Sequence, residues 1–294
     1  MKKIAILGCE NSHADSFLKF IRTKEEFSDV EVVGVYSDEP AAAKKLHDTF
    51  GVPVMEDYNE AVGKIDGLII TARHGDNHYR YAKPYIKSGI PMFIDKPITV
   101  DEREAVTFMR ALRANGVRIS GGSSLKNDIY VEKLKKEAQA NENGKTLSGV
   151  VRAPYQSENI YGGFYFYAQH LVEMVCEIFG RFPLSVTARQ NGGQIHVLFR
   201  YENYDCVGVF TDGVYVYYAA RMAEKATTSH EIPFDAGWFY REFKEFYELL
   251  HGAPQTISYE AFISPVFIMN AIERSLASGK EEAVGKPALE SDHG

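Results

Sequence analysis

Over the first 120 or so positions, short apolar runs alternate with segments of helical period. The runs are KIAILG (3–8), VEVVGVYS (30–37), DGLIITA (66–72), PMFID (91–95) and VRIS (117–120). They are β-branched and apolar at consecutive positions, as in parallel strands that helices cover on both faces. Between them the pattern predicts helices around 12–23, 39–49, 57–63, 77–88 and 101–115. Thr99 or Asp101 caps the last of these, and acids fill its first turn. Pro84 falls inside the fourth and predicts a kink or a late start there.

The pattern changes after residue 122. A helix over about 127–140 leads to a strand at 147–153, an aromatic loop, and a helix over about 163–179 that stops at Gly180. From 184 to 231 apolar and polar residues alternate in QIHVLFRY, CVGVFT and GVYVYYAA, broken at Asn191-Gly192-Gly193, Glu202-Asn203 and Asp212-Gly213. Hairpin-like spacing of this kind predicts antiparallel strands. Two helices, about 236–250 and 259–278, and a tail that frays through GKPALESDHG close the chain. The expected fold class is α/β. A Rossmann-type doubly wound parallel sheet (1–122) precedes an α+β domain with a largely antiparallel open sheet (123–294).

Composition narrows the partners. The chain has 294 residues, 45% of them hydrophobic and 25% charged, enough for one large or two ordinary domains. Its net charge is −7, and its basic residues are scattered, so no nucleic-acid partner is expected. Cys9, Cys176 and Cys206 are odd in number and far apart, which suits a reducing compartment better than a disulfide framework or a zinc site. The apolar stretch in MKKIAILGCENSH is too short for a secretory core or a membrane span. A cytoplasmic protein without a membrane partner is the expectation.

Candidate chemistry starts at FIDKPIT (93–99). Lys96 ends a buried strand, where a charge is costly unless it is used; the plain alternative is a lysine that snorkels into solvent. After the first strand, LGCENSHADSF keeps only Gly8 of the three glycines that a dinucleotide loop expects. Asn11 or Ser12 can still cap the next helix, whose N–H groups favour a phosphate. At the end of the second strand, VYSDEP places Ser37 and then Asp38, a carboxylate suited to a ribose, with no Arg following to take a 2′-phosphate. NAD is therefore expected over NADP. His170 and Glu173 stand three apart on a helix without a third ligand, so no metal is expected.

IDKPIT resembles the Glu-Lys-Pro signature of the Gfo/Idh/MocA oxidoreductases. DGLIITARHGDNHYRYA resembles that family's segment leading from a strand to a His, with Thr71 and His78 in place. GGFYFYAQHLVEMVCEIFG resembles its second-domain motif, and FKEFYELLHGAP and IMNAIERSLASGKEEAV its C-terminal helices. The resemblance implies hydride transfer between a nicotinamide and a sugar, polyol or related hydroxy or keto compound. Lys96 would hold or polarise the reacting oxygen and His170 would exchange its proton. It also implies a cofactor against Gly8, Asn11, Ser12, His13, Ser37, Asp38, Thr71, Ala72, Arg73, His78, Asp95 and Lys96. Phe166 stands where the family carries an Asp. Tyr155, Tyr161, Tyr165 and Tyr167 crowd the same stretch; Tyr167 is a candidate proton donor if a nearby cation lowers its pKa, and the rest are expected to pack.

Two further readings share these residues. One is a catalytically weakened relative that binds a nucleotide or sugar as a sensor or partner subunit, which the lost glycines favour. The other is a reductase of a non-sugar ketone or imine. VYVYYAA is too apolar for a face left in water and resembles the family's pairing sheet, so a homodimer or homotetramer is expected.

Overall fold

The computed structural model describes residues 1–235 and 237–289. Strands β1 (Lys2–Leu7), β2 (Val30–Tyr36), β3 (Gly67–Ile70), β4 (Met92–Asp95) and β5 (Ile119–Gly122) form a parallel sheet in the order β2-β1-β3-β4-β5. Helices α1 (Ser12–Thr23), α2 (Pro40–Phe50), α3 (Asp76–Ala82) and α4 (Glu102–Ala114) alternate with them. β1, β3 and β4 are buried along nearly their whole length, as their continuous apolar runs require. Asp101 caps α4 by accepting from the Glu104 N–H at 2.8 Å.

Two local expectations need correction. Residues 57–63 form turns in place of a helix. There the Asp57 carboxylate accepts from the Asn59 N–H at 2.7 Å and Glu60 accepts from the Asp57 N–H at 2.9 Å. Such bonds compete with the helical ladder, and Gly63 then turns the chain at φ +74°. The expected helix over 77–88 splits: α3 ends at Ala82, and Lys83–Ser88 continues as a 3₁₀ segment with Pro84 in its first turn.

The second sheet contains β6 (Thr146–Tyr155), β7 (Ser185–Asn191), β8 (Gln194–Arg200), β9 (Asp205–Asp212), β10 (Tyr217–Ala223), β11 (Thr227–Ile232) and β12 (Glu281–Ala283). Their order is β11-β10-β6-β9-β8-β7-β12. The sheet is mixed: β6 and β9 run parallel, Val150 opposite Val207. A helix and the β7–β8 hairpin separate those two strands, so no tight turn dictates their direction. Burial alternates strictly along β8 and along most of β9, with Ile195, Val197 and Phe199 inward and Leu198, Val207 and Val209 on a half-exposed outer face. β12 was not anticipated. It makes an edge strand of the residues just before the tail, and within the tail Leu289 is buried; residues 290–294 lie outside the described residues.

Helices α5 (Ile129–Gln139) and α6 (Tyr165–Phe179) pack against this sheet, α7 (Gly237–Leu250) returns to the first, and α8 (Tyr259–Ser278) spans both, with Ile268, Met269 and Ile272 in the core of the second sheet. The expected start of α7 at 236 lies outside the described residues. Phe243, Phe246 and Leu250 of α7 join Ile4, Ile6, Phe17 and Phe93 in one core, and Phe262, Ile263 and Val266 of α8 join Ile94 and Ile119 in another. Each such side chain contributes roughly 1.5–3 kcal/mol on burial. This packing sets Glu242 of α7 against His13 of α1, where the chemistry-bearing residues collect. No helix among the described residues is long and apolar enough to cross a membrane, and all three cysteines are buried and free.

Candidate active site

Lys96 follows β4 and is 7% exposed. Its Nζ donates to the Phe166 carbonyl at 2.9 Å and lies 4.2 Å from the centre of the Phe166 ring and 5.1 Å from that of Tyr167. Snorkelling is therefore ruled out: the stem leads inward. No carboxylate lies within 4.0 Å of Nζ among the described residues. Burial pushes the ammonium below the ordinary lysine range, and Arg73 pushes the same way against the pull of Asp95 and Glu242.

His170 sits on α6, 8% exposed, with Nδ1 2.7 Å from the Ser123 hydroxyl. Burial, then Lys96 and His13, hold its pKa well below the ordinary histidine range, so the ring is neutral at pH 7. Ser123 follows two glycines in left-handed conformations at the end of β5; a Cβ on Gly121 would meet Ile94 O at 2.0 Å. Lys96 and His170 face one cavity of about 520 Å³, shared with Asn11, Ser12, His13 and Arg73 and walled by Tyr167, Tyr215, Tyr217 and Trp238. Asp128 fixes Trp238 by accepting from its indole N–H at 2.9 Å.

Behind the cavity lies a buried charge cluster. Asp95 accepts from Asn11 Nδ2 at 2.6 Å and from the Lys96 N–H at 2.7 Å. His13 places Nδ1 3.2 Å from Asp95 and Nε2 3.2 Å from Glu242 of α7, close enough for ion pairing though off the line of its N–H bonds. Burial alone would lower its pKa; Asp95 and Glu242 outweigh burial and raise it. The rings of Phe239, Phe17 and Phe93 surround the imidazole at 4.5, 5.8 and 6.4 Å.

Other expected site residues are placed differently. His78 is fully buried with Nε2 2.8 Å from Ala72 O and Nδ1 3.2 Å from Ile98 O, so it ties the end of β3 to the loop after Lys96. Thr71 donates to Gly8 O at 2.6 Å. Tyr155 is core, and Tyr165 donates to Glu273 at 2.6 Å. Tyr161 donates to Glu39 at 2.9 Å. Burial and Tyr215 push the Tyr167 phenol up to about 12, the reverse of the expected lowering, with Arg73 only partly opposing them. Glu173 turns to Arg181 (2.9 Å) and Gln169 (3.3 Å), away from His170. No group of three His, Cys, Asp or Glu is placed to hold a metal among the described residues. The sequence reading missed Ser123, Glu242 and Trp238.

Residues 2–123 match a family model described as "Oxidoreductase family, NAD-binding Rossmann fold". Over these residues the chain is similar to the Gfo/Idh/MocA oxidoreductases. No protein of curated function matches it by sequence. Solved structures resemble the whole fold. A scyllo-inositol dehydrogenase from Lactobacillus casei, with bound NAD(H) and scyllo-inositol, has TM-score 0.82 and 16% identity over 97% of this chain and 99% of its own. A myo-inositol dehydrogenase from Corynebacterium glutamicum gives the same values. GenD2 of gentamicin A biosynthesis, in complex with NAD, has TM-score 0.84 and 15% identity over 97% and 96%. At such identities the likeness is one of fold.

The family's dinucleotide can be tested against this chain's own residues. Gly8 keeps its role: at φ +78°, a Cβ there would meet Ala72 Cα at 2.4 Å. Asn11 caps α1, accepting from the His13 N–H at 2.8 Å, so that helix presents its N-terminal N–H groups. The second and third glycine positions of a G-x-G-x-x-G loop are Glu10 and His13. His13 fits by exchanging close helix packing for the pair with Glu242. Glu10 opposes a phosphate: one carboxylate oxygen is buried without a partner, and burial, aided by Glu39 and Asp38, raises its pKa. Asp38 is paired with Arg80 of α3 and accepts from Tyr36 at 2.9 Å. No Arg closely follows Asp38 in the sequence, yet the fold brings Arg80 against it. The cation comes from α3, where spacing after β2 could not reveal it. The set fits a dinucleotide, with Glu10 as its one misfit.

Proposed function

We propose that the protein is an NAD-dependent oxidoreductase acting on the CH–OH group of a sugar-like, polyol or related hydroxy compound, or on the corresponding ketone. The observation that carries this reading is one cavity holding a buried, carboxylate-free lysine and a histidine kept neutral. Residues 1–122 would hold the dinucleotide, through Gly8, the α1 N-terminus, Ser37, Asp38 and the ends of β3 and β4. Residues 123–294 would supply the substrate wall and the subunit contacts. Bound NAD would accept or return the hydride.

The chain's own residues manage the oxygen and its proton. Lys96 directs its ammonium to the reacting oxygen and steadies charge that develops there. His170, with Nδ1 donating to Ser123, keeps the Nε2 lone pair free to take the hydroxyl proton. Phe166 contributes a carbonyl and a ring face where the family carries an Asp, which leaves the lysine's charge unneutralised. Tyr167 and the aromatic wall exclude water. Three buried free thiols accord with a cytoplasmic setting.

A second reading, a nucleotide- or sugar-binding sensor without turnover, is favoured by Glu10 in the phosphate loop. Titration with NADH and NADPH by fluorescence, beside turnover assays on a polyol and sugar-acid panel, separates the two. Absence of dinucleotide binding at millimolar concentration overturns the enzyme reading. Binding without turnover on the whole panel favours the sensor.

A further inference from the structure

We propose that the cavity is shaped for an anionic, ring-shaped hydroxy compound, with its carboxylate on Arg73 and its reacting hydroxyl between Lys96 and His170. This deepens the oxidoreductase reading and rests on it for the identity of the reacting hydroxyl.

Arg73 stands just beyond β3 and lines the cavity. Its Nε is buried without a hydrogen-bond partner. Its remaining polar contact is Nη1 to the Tyr161 hydroxyl at 3.5 Å, and its guanidinium lies 5.0 Å from that ring's centre. Among the described residues no carboxylate lies within 4.0 Å of it. A half-buried guanidinium without a counter-charge is costly, and its planar fork matches a carboxylate with two parallel hydrogen bonds. Lys96 opens on the same space, and the two cations repel each other. His13 also lines the cavity, but Asp95 and Glu242 already balance it. Glu231, the one carboxylate among the described lining residues, is solvent-exposed. An anion entering here relieves both cations; a neutral polyol relieves neither.

The walls point to a ring. Phe166, Tyr167, Tyr215, Tyr217, Trp238 and Phe239 offer flat faces for the C–H side of a saturated ring. Few amides or carboxylates are at hand to bind several hydroxyls separately. An alternative source of the same anionic chemistry is a dinucleotide's phosphates, so the test includes an arm for each.

Trp238 is the chain's one tryptophan and lines the cavity, so its emission reports occupancy. Two pairs set a ring acid against a neutral ring polyol: glucuronate and glucose differ only at C6, and quinate, besides its carboxylate, lacks two of the hydroxyls of myo-inositol. Dissociation constants would be measured by Trp238 emission and calorimetry, with and without NADH. In at least one pair the acid should bind about tenfold or more tighter. Arg73→Gln should bring that ratio to about one, and Arg73→Lys should keep part of it, both with a wild-type melting temperature and nearly unchanged NADH affinity. Equal binding within both pairs, or binding of none of the four, overturns the proposal. So does an Arg73→Gln variant that loses NADH affinity while the acid preference persists, since Arg73 then serves the cofactor. An Arg73-dependent acid preference without turnover sinks the oxidoreductase reading alone.

Discussion

Ser123 Oγ lies 2.7 Å from Nδ1 of His170, so a serine at the end of β5 orients a ring carried by α6. The hydroxyl also accepts from the Leu125 N–H at 3.3 Å, which fixes its position. Burial, Lys96 and His13 lower the His170 pKa, and under the proposed function the neutral ring would be the base. As pH falls through the ordinary histidine value of about 6.5, His170 should stay neutral. The acid limb of kcat/KM is therefore expected well below pH 6.5, and a limb at or above that value would remove His170 as the base. Ser123→Ala should lower kcat on the order of tenfold, about the worth of one net hydrogen bond, with KM little changed.

Lys96→Met should leave the fold and NADH affinity close to wild type and lower turnover about a hundredfold or more, the usual loss of one preorganised charge stabiliser. Because the Nζ partners are a carbonyl and two ring faces, the substitution strands no buried carboxylate in direct contact. His170→Ala should cost about as much, and the double variant little more than either, since groups acting on one oxygen are not additive. Wild-type turnover in Lys96→Met would end the case for this lysine.

Asp38 holds Arg80, and under the proposed function this pair would set which dinucleotide the end of β2 accepts. Asp38→Ala removes the carboxylate that would meet a ribose and repel a 2′-phosphate, and it frees a guanidinium for that phosphate. The ratio of NADPH to NADH dissociation constants should fall by about tenfold or more. An unchanged ratio would show that neither residue meets the adenosine ribose.

VYVYYAA does not form the exposed face expected of it, since Tyr215, Val216 and Tyr217 line the cavity and Ala219 and Ala220 are buried. The outer face of the second sheet instead exposes Val150, Leu198, Val207 and Val209 at least in part. A homodimer or homotetramer through this face is the expected state. Sedimentation at micromolar concentration should show it, and Val209→Lys should shift the population toward monomer. A wild-type monomer under those conditions counts against the sheet as a subunit interface.

What the sequence made legible follows from which forces act locally. The parallel sheet was readable because each strand is buried on both faces and so is apolar at consecutive positions. Lys96 stood out because a charge at the end of such a run needs a reason. The turns at 57–63 were misread because carboxylate-to-backbone bonds at Asp57 and Glu60 overrode a helical pattern. The parallel pairing of β6 and β9 depends on contacts across an intervening helix, which no local spacing encodes. Glu242 was invisible for the same reason: in WFYREFKEFYELL it looks like one of several solvated acids, and tertiary packing alone sets it against His13. Ser123 was nearer to reach, since ligands gather where parallel strands end.

His13 links α1, β4 and α7 through Asp95 and Glu242, with all three side chains buried. Its folded pKa is raised, so its contribution to stability is complete below the unfolded value of about 6.5 and is lost as pH rises through the folded value. Glu242 acts in the same sense: burial raises its pKa, with His13 opposing, so deprotonation at higher pH also weakens the fold. Lys96 nearby opposes the His13 charge and is the smaller influence. His13→Leu leaves two buried carboxylates facing an apolar side chain and should cost about 3–5 kcal/mol near pH 6. The deficit at pH 9 should be smaller than at pH 6, because the proton that His13 holds more tightly in the fold is lost with rising pH. Glu242→Gln should cost less than His13→Leu, because His13 keeps Asp95. Urea midpoints of the three proteins at the two pH values test this. A His13→Leu deficit that stays constant from pH 6 to 9 would show that His13 is neutral in the fold, held by its aromatic neighbours alone.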